Sequence, residues 1–139
     1  MIAVDTSALM AIILSEAEAD ACIEAIEKAD GLLISVGTVA EALIVSARRE
    51  VGEEMQMLID GLGFEIITVT PASAARIAKA YATWGKGVHP AALNFGDCFA
   101  YEVAQERSCP LLYVGGDFAK TDVGSVIALP QPTPVTREQ

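Results

Sequence analysis

Four short apolar runs, each set off by segments of helical periodicity, limit the folds open to this chain more than any other feature. The runs are Ile2–Val4, Leu32–Val36, Phe64–Val69 and Leu111–Val114. Runs of this length with little polar alternation suit strands covered on both faces. Between them the pattern predicts helices over residues 7–15, 16–30, from Thr38 to a break at Gly52, 53–62, 71–84, and from Asn94 to about Arg107. Strands alternating with helices predict an α/β domain: a mostly parallel central sheet of four to five strands, with helices on both faces. The fifth strand is expected at the edge, over Val126–Leu129. At 139 residues the chain has the length of one domain. Residues 1–129 are expected to form it. Residues 130–139 contain three prolines and no apolar period, which predicts a flexible tail.

Finer expectations follow from the same pattern. Cys22, Ile23, Ile26 and Ala29 should face inward on the second helix. Val39, Leu43 and Ala47 should do so on the third. Phe95, Phe99 and Val103 should form the buried face of the helix that Asn94 caps. Gly96 should leave room for a group to approach the first turn of that helix.

In open α/β sheets the functional crevice lies at the carboxyl ends of the strands. Asp5 ends the first run and Asp117 follows the fourth. Glu41 is placed in the first turn after the second strand. Asp97 is placed in the first turn of the helix that leads back to the fourth strand, so it starts on the same edge. Each acid has a purely structural reading. Asp5 can cap a helix. Thr38-x-x-Glu41 fits a capping box. Asp97 can stabilise the positive end of its helix, and Asp117 can be a turn acid. Together, however, four carboxylates on one edge repel unless cations or protons offset them.

Oxygen donors without histidine or cysteine point to Mg²⁺ or Mn²⁺, and phosphodiester hydrolysis is the chemistry such a site supports. Competing chemistries find little support. The one histidine, His89, precedes Pro90 and reads as a loop residue, so no Ser/His/Asp arrangement forms. No Gly-rich phosphate loop is present. Cys22, Cys98 and Cys109 are widely spaced, which fits neither a disulfide framework nor a zinc site. The longest apolar run, Ala8–Leu14, is too short to span a bilayer and no basic residue precedes it, so a soluble cytoplasmic protein is expected. The net charge of −10 is unusual for a nucleic-acid binder. It requires a local basic patch, metal ions or a partner that supplies positive charge.

Several stretches resemble the PIN-domain ribonucleases, and within them the VapC toxins of bacterial type II toxin–antitoxin pairs. They are Val4-Asp5-Thr6-Ser7, Thr38-Val39-Ala40-Glu41, Gly85-Lys86-Gly87 through Leu93–Tyr101, and Leu112–Phe118 with Thr121-Asp122. The resemblance runs from about residue 1 to 129. It implies a PIN-like three-layer fold and a Mg²⁺- or Mn²⁺-dependent endoribonuclease that uses metal-activated water. It also implies inhibition by a cognate VapB antitoxin and a homodimer. Asp5 and Asp97 match the family's most direct metal positions. Glu41 and Asp117 match the other two acids, which orient metal and water or serve a second ion. Asp122 matches a further acid of many members, with a turn cap as the alternative. Where the family often has asparagine before the last acid, this chain has Gly116.

Two basic residues complete the reading. Arg48 is seven positions after Glu41, about 10 Å along one helix face, and either contacts RNA phosphate or an antitoxin acid or is a solvated helix charge. Lys86, between two glycines, can reach a backbone phosphate. Other classes compete less well. A receiver-type signalling domain needs an acidic pair after strand one and a lysine after strand five, and both are missing. A non-catalytic interaction module with a relict site remains the alternative to an enzyme.

Overall fold

The apolar runs form a parallel sheet whose alternate residues face two separate cores. The computed structural model describes residues 1–127. In chain order the elements are β1 (Ile2–Val4), α1 (Thr6–Ile13), α2 (Ala19–Lys28), β2 (Leu32–Ser35), α3 (Val36–Arg48) and α4 (Gly52–Gly61). Then come β3 (Glu65–Ile67), α5 (Pro71–Trp84), α6 (Phe95–Glu106), β4 (Leu111–Leu112) and a single 3-10 turn at Phe118–Lys120. The strand order is β3-β2-β1-β4 and every pairing is parallel. Ala3 sits beside Leu33 on one side and Leu111 on the other. These three residues face α5 and α6, with Ile77, Leu93 and Val103. Their neighbours Val4, Ile34 and Leu112 face the opposite way, toward Leu9 of α1 and Met55 and Ile59 of α4. The period of two in the strands thus divides the apolar residues between two helical layers.

This topology also fixes where a site can form. After β1 the chain adds β2 and β3 on one side, then crosses to place β4 on the other. The carboxyl ends of β1 and β4 therefore flank the point where the winding reverses, which is the crevice position of such folds.

Several details differ from the sequence expectations. β3 is an edge strand and only half-covered: Glu65 and Ile66 are exposed. No fifth strand forms at 126–127. Ser125 instead makes a lone parallel bridge to Leu111, and the Val126 amide donates to the Leu111 carbonyl at 3.1 Å. Residues 128 and 129 of that expected strand, and the tail 130–139, lie outside the described residues. On α2, Cys22 and Ile26 are buried but Ile23 is exposed. On α3 the buried row is Thr38, Ala42 and Ser46, one residue out of step with the expected Val39, Leu43 and Ala47. α3 touches α1, α4 and α6, and small residues at its centre allow that close approach. Phe95 is 69% exposed and stacks edge-on against Phe99 at 4.9 Å instead of entering the core. It lies at the first position of α6.

The helix ends explain another difference. Gly52 does not break α3; it begins α4. α3 ends at Glu50, which takes the left-handed conformation with φ 60°. The Glu50 amide donates to the Ala47 carbonyl and the Val51 amide to the Ser46 carbonyl, the paired bonds of a Schellman ending. Ser15 and Ser108 end α1 and α6 in the same way, with φ near 50°. Glycine normally takes this position, so three helix ends carry no glycine signal. No helix among the described residues is long and apolar enough to cross a membrane.

A left-handed, negatively charged residue at a helix carboxyl end is unfavourable on both counts. Glu50→Gly is expected to stabilise the protein by about 0.5 kcal/mol, net of the extra entropy glycine gains when unfolded. Urea denaturation should show a higher midpoint at unchanged m-value.

Candidate functional site

Asp5 ends β1 and caps α1, so its carboxylate is held where the sheet stops. Its Oδ2 accepts from the Ser7 amide at 3.0 Å and the Ser7 hydroxyl at 2.7 Å. Ser7 Oγ in turn accepts from the Val114 amide, just past β4. One short side chain thus ties the end of β1 to the end of β4. Asp5 is 3% exposed, and its Oδ1 is buried with no hydrogen-bond partner. Burial pushes the Asp5 carboxyl up to about 7; the two Ser7 bonds oppose that, while the charges of Asp97 and Glu41 add to it.

Glu41 reaches the same edge from α3, from farther along the helix than expected. The helix begins at Val36 with Ser35 as its cap, Ser35 Oγ accepting from the Gly37 amide. Glu41 therefore lies in the second turn, and Thr38 is a buried helix residue, not the first member of a capping box. Glu41 Oε1 accepts from the Thr6 hydroxyl at 2.6 Å. Its other oxygen lies directly against Gly96. A Cβ at residue 96 would sit 1.7 Å from Glu41 Oε2. The space that Gly96 was expected to leave for an incoming group is thus filled by the chain's own carboxylate.

Asp97 occupies the third position of α6 and forms a reciprocal cap with Asn94. The Asp97 amide donates to Asn94 Oδ1 at 2.8 Å, and the Asn94 amide donates to Asp97 Oδ2 at 2.9 Å. Burial raises its carboxyl to about 6 despite the Asn94 bond, with further upward pressure from Glu41 and Asp117. Asp117 is exposed and begins the Phe118–Lys120 turn after the Gly115-Gly116 pair. Phe118 anchors that turn, buried against Tyr113 with ring centroids 5.2 Å apart.

The charges of Glu41 and Asp97 thus bear on Asp5, and those of Glu41 and Asp117 on Asp97. Each structural reading of Asp5 and Asp97 holds as well: one oxygen of each is used in a cap. Among the described residues no three His, Cys, Asp or Glu side chains already close into a ligand cage. The capping bonds and the Thr6–Glu41 bond hold oxygens that an ion would compete for. The donor set nevertheless fits a hard divalent cation. It is all carboxylate, it repels itself, and it presents a buried oxygen with no protein donor. Asp5 and Asp97 would hold such an ion, with Glu41 and Asp117 flanking it.

The remaining sequence candidates fall elsewhere. Asp122 does not join the four. Its Oδ1 accepts from the Tyr101 hydroxyl at 2.6 Å and from Gln105 Nε2 at 2.9 Å. Burial and that bond push the Tyr101 hydroxyl up to about 12, so it stays a donor. Arg48 is exposed in the last turn of α3, and Lys86 is exposed in the loop before α6. Neither has a carboxylate at ion-pair distance among the described residues. Sequence reasoning missed Thr6 and Ser7 as supports for the acids. Their only signal is adjacency to Asp5, a polar Thr-Ser pair at a strand end. It also missed Tyr101 and Gln105, which follow Asp97 at i+4 and i+8 and so share its helix face.

The chain is similar to a family of known proteins. The PIN domain family model matches residues 2–124. Ribonuclease VapC30 of Mycobacterium tuberculosis is 38% identical over 130 residues, covering 91% of this chain and 98% of the relative. Ribonuclease VapC42 of the same organism is 36% identical over 124 residues, covering 86% and 95%. Among solved structures, M. tuberculosis VapC20, a sarcin–ricin-loop-cleaving toxin, superposes with TM-score 0.73 at 15% identity, covering 88% of this chain and 96% of that one. A toxin–antitoxin complex from Klebsiella pneumoniae gives TM-score 0.69 at 19% identity, covering 93% and 100%.

The raised Asp5 and Asp97 carboxyls imply a pH dependence of stability. Both bind protons more tightly when folded than when unfolded, so stability is greatest in acid and is lost as pH rises through about 4 to 7. Asp5→Asn removes the largest share. In chelator at pH 8 it is expected to melt roughly 5 °C above the unsubstituted protein, a difference that shrinks toward pH 4. Melting curves across that range check the sign.

Proposed function

This chain belongs to the PIN-domain family, and from that premise we propose that it is the toxin of a type II toxin–antitoxin pair, an endoribonuclease that hydrolyses RNA phosphodiester bonds. The observation that carries the reading is the convergence of Asp5, Glu41, Asp97 and Asp117, with a buried Asp5 oxygen left without a protein donor. Relatives that bear the name ribonuclease and align over nearly the whole chain support it.

Asp5 and Asp97 hold Mg²⁺ or Mn²⁺ in this reading. Bound there, such an ion would offset the phosphate charge and make a nearby water more acidic. The chain's own residues do the rest. Ser7 fixes Asp5 against both strand ends. Thr6 and the bare Cα of Gly96 seat Glu41 so that its carboxylate faces the cleft. Glu41 and Asp117 orient the attacking water and accept its hydrogen bonds. Lys86 and Arg48 are exposed cations available to RNA phosphates on the approach to the cleft.

The partner is a VapB-type antitoxin, in keeping with the solved toxin–antitoxin complexes that share this fold. An arginine from it placed among the four carboxylates would replace the cation's charge. The toxin itself is a homodimer in this reading, and the net charge of −10 suits a basic partner segment.

Purified protein incubated with total RNA and Mg²⁺ or Mn²⁺ is expected to give discrete fragments. Asp97→Asn and chelator should each abolish them. No fragments from the unsubstituted protein, with antitoxin shown to be absent, would leave a binding module in place of an enzyme. Gly96→Ala tests the seat of Glu41. The added methyl displaces the carboxylate and should lower cleavage by about 100-fold, as a misplaced catalytic group does, while the far-ultraviolet circular dichroism stays unchanged.

A further inference from the structure

Among the described residues, Asp117 stands apart from the other three acids in having no side-chain hydrogen bond to its carboxylate. Asp5 is held by Ser7, Glu41 by Thr6 and Asp97 by Asn94. Asp117 is exposed, and Gly115 precedes it with φ 103°, a conformation open chiefly to glycine. Two consecutive glycines, with no side chains to pack, separate it from Val114, whose amide is held by Ser7. The nearer side-chain anchors are on its carboxyl side.

That side is tied down in three places. Phe118 enters the core against Tyr113. The Thr121 hydroxyl donates to the Phe118 carbonyl and accepts from the Val123 amide. Asp122 then meets α6, where Tyr101 and Gln105 both donate to its Oδ1. The Tyr101 oxygen is itself held, accepting from Trp84 Nε1 at 3.0 Å. Trp84 ends α5 and packs edge-on against His89 at 4.7 Å. Asp97, Tyr101 and Gln105 lie at i, i+4 and i+8, one stripe of a single helix. α6 thus carries one site acid in its first turn and grips the segment of another acid with its next two turns.

We infer that Tyr101 is a positioning residue for Asp117, acting through Asp122, whose role is to accept the tyrosine's hydrogen bond and not to hold a metal ion. The bond closes the segment 115–122 onto α6 and gives Asp117 a fixed distance from Asp97. Asp122 needs only its acceptor oxygen for this, so its charge is dispensable. The kinetic consequence rests on the nuclease reading above; the structural one does not.

The test compares Tyr101→Phe, Asp122→Ala and Asp122→Asn with the unsubstituted protein. Amide hydrogen exchange in chelator reads the anchor without any catalysis. Exchange in peptides covering 115–122 is expected to rise at least roughly tenfold in Tyr101→Phe and Asp122→Ala, with the amides of α6 unchanged. Asp122→Asn, which keeps Oδ1, should restore protection. In the RNA cleavage assay kcat should fall about tenfold or more in the first two variants, KM should hold, and Asp122→Asn should recover the rate lost in Asp122→Ala. Unchanged exchange in both Tyr101→Phe and Asp122→Ala would overturn the inference. So would an Asp122→Asn protein that is protected yet as slow as Asp122→Ala, because that makes the charge the essential feature. If Tyr101→Phe is unstable, Asp122→Ala, altered at an exposed position, decides. If the unsubstituted protein cleaves no RNA, the nuclease reading fails and the exchange data alone judge the anchor.

Discussion

The repulsion among carboxylates gathered at one end of a parallel sheet is the constraint on which the rest of this structure depends. Parallel strands place their carboxyl ends together, so acids at those ends cannot avoid one another. Asp5 is buried, and burial disfavours its charged form even before its neighbours are counted. A fold that keeps such a group must surround it with donors. Here the donors come from the nearest available backbone and hydroxyl groups: the Ser7 amide and hydroxyl, the Thr6 hydroxyl and the Asn94 amide. They satisfy part of Asp5, Glu41 and Asp97 and leave the Asp5 Oδ1 unmatched. What remains is a concentration of unneutralised negative charge, and that is the chemical character of the cleft.

The capping role and the site role of these acids are therefore not alternatives. Asp5 caps α1 through Oδ2 while its other oxygen is buried without a protein donor. Asp97 closes the reciprocal cap of α6 through Oδ2. A cap fixes the side-chain torsions of the residue that makes it, so the helix start becomes the device that aims the carboxylate. Glu41 needs a different device because it lies mid-helix. It is aimed by Thr6 from α1 and by the close approach of α3 to the bare Cα of Gly96 on α6. Three helices thus meet at one carboxylate. Glycine at 96 is required there by contact, since its backbone is that of an ordinary helix residue.

Much of this was legible in the sequence, and the parts that were not share a physical reason. The strand–helix alternation predicts a mostly parallel sheet of four to five strands, of which four form among the described residues, and both helical layers, because burial on two faces leaves a local signature in apolar runs. Pro71 marks the start of α5 and Asn94 the cap of α6 in the same local way. The errors arise where tertiary contact overrules local pattern. Phe95 looks like a core residue by spacing, but at the first position of α6 its ring stays largely exposed and meets the edge of Phe99. Thr38-x-x-Glu41 looks like a cap, but Ser35 takes that role three residues earlier. The end of α3 carries Glu50 where glycine is usual, so Gly52, which begins α4, reads as its break. Asp122 matched a family position, yet its partner Tyr101 is 21 residues away and no spacing rule connects them.

The acidity of the chain fits the proposed chemistry once local and global charge are separated. A net charge of −10 opposes the approach of RNA at long range. Salt in solution screens that opposition beyond about 10 Å, whereas charge inside a partly buried cleft is screened far less. The four carboxylates therefore set the local rule: nothing negative can dwell among them unless positive charge arrives first. Under the proposed reading, a divalent cation and an antitoxin arginine are two ways of meeting that one requirement. They would compete for the same oxygens, so a basic partner segment would exclude the ion and the RNA together. Inhibition would then need no conformational change in the toxin, only occupation of a site that the fold has already left short of positive charge.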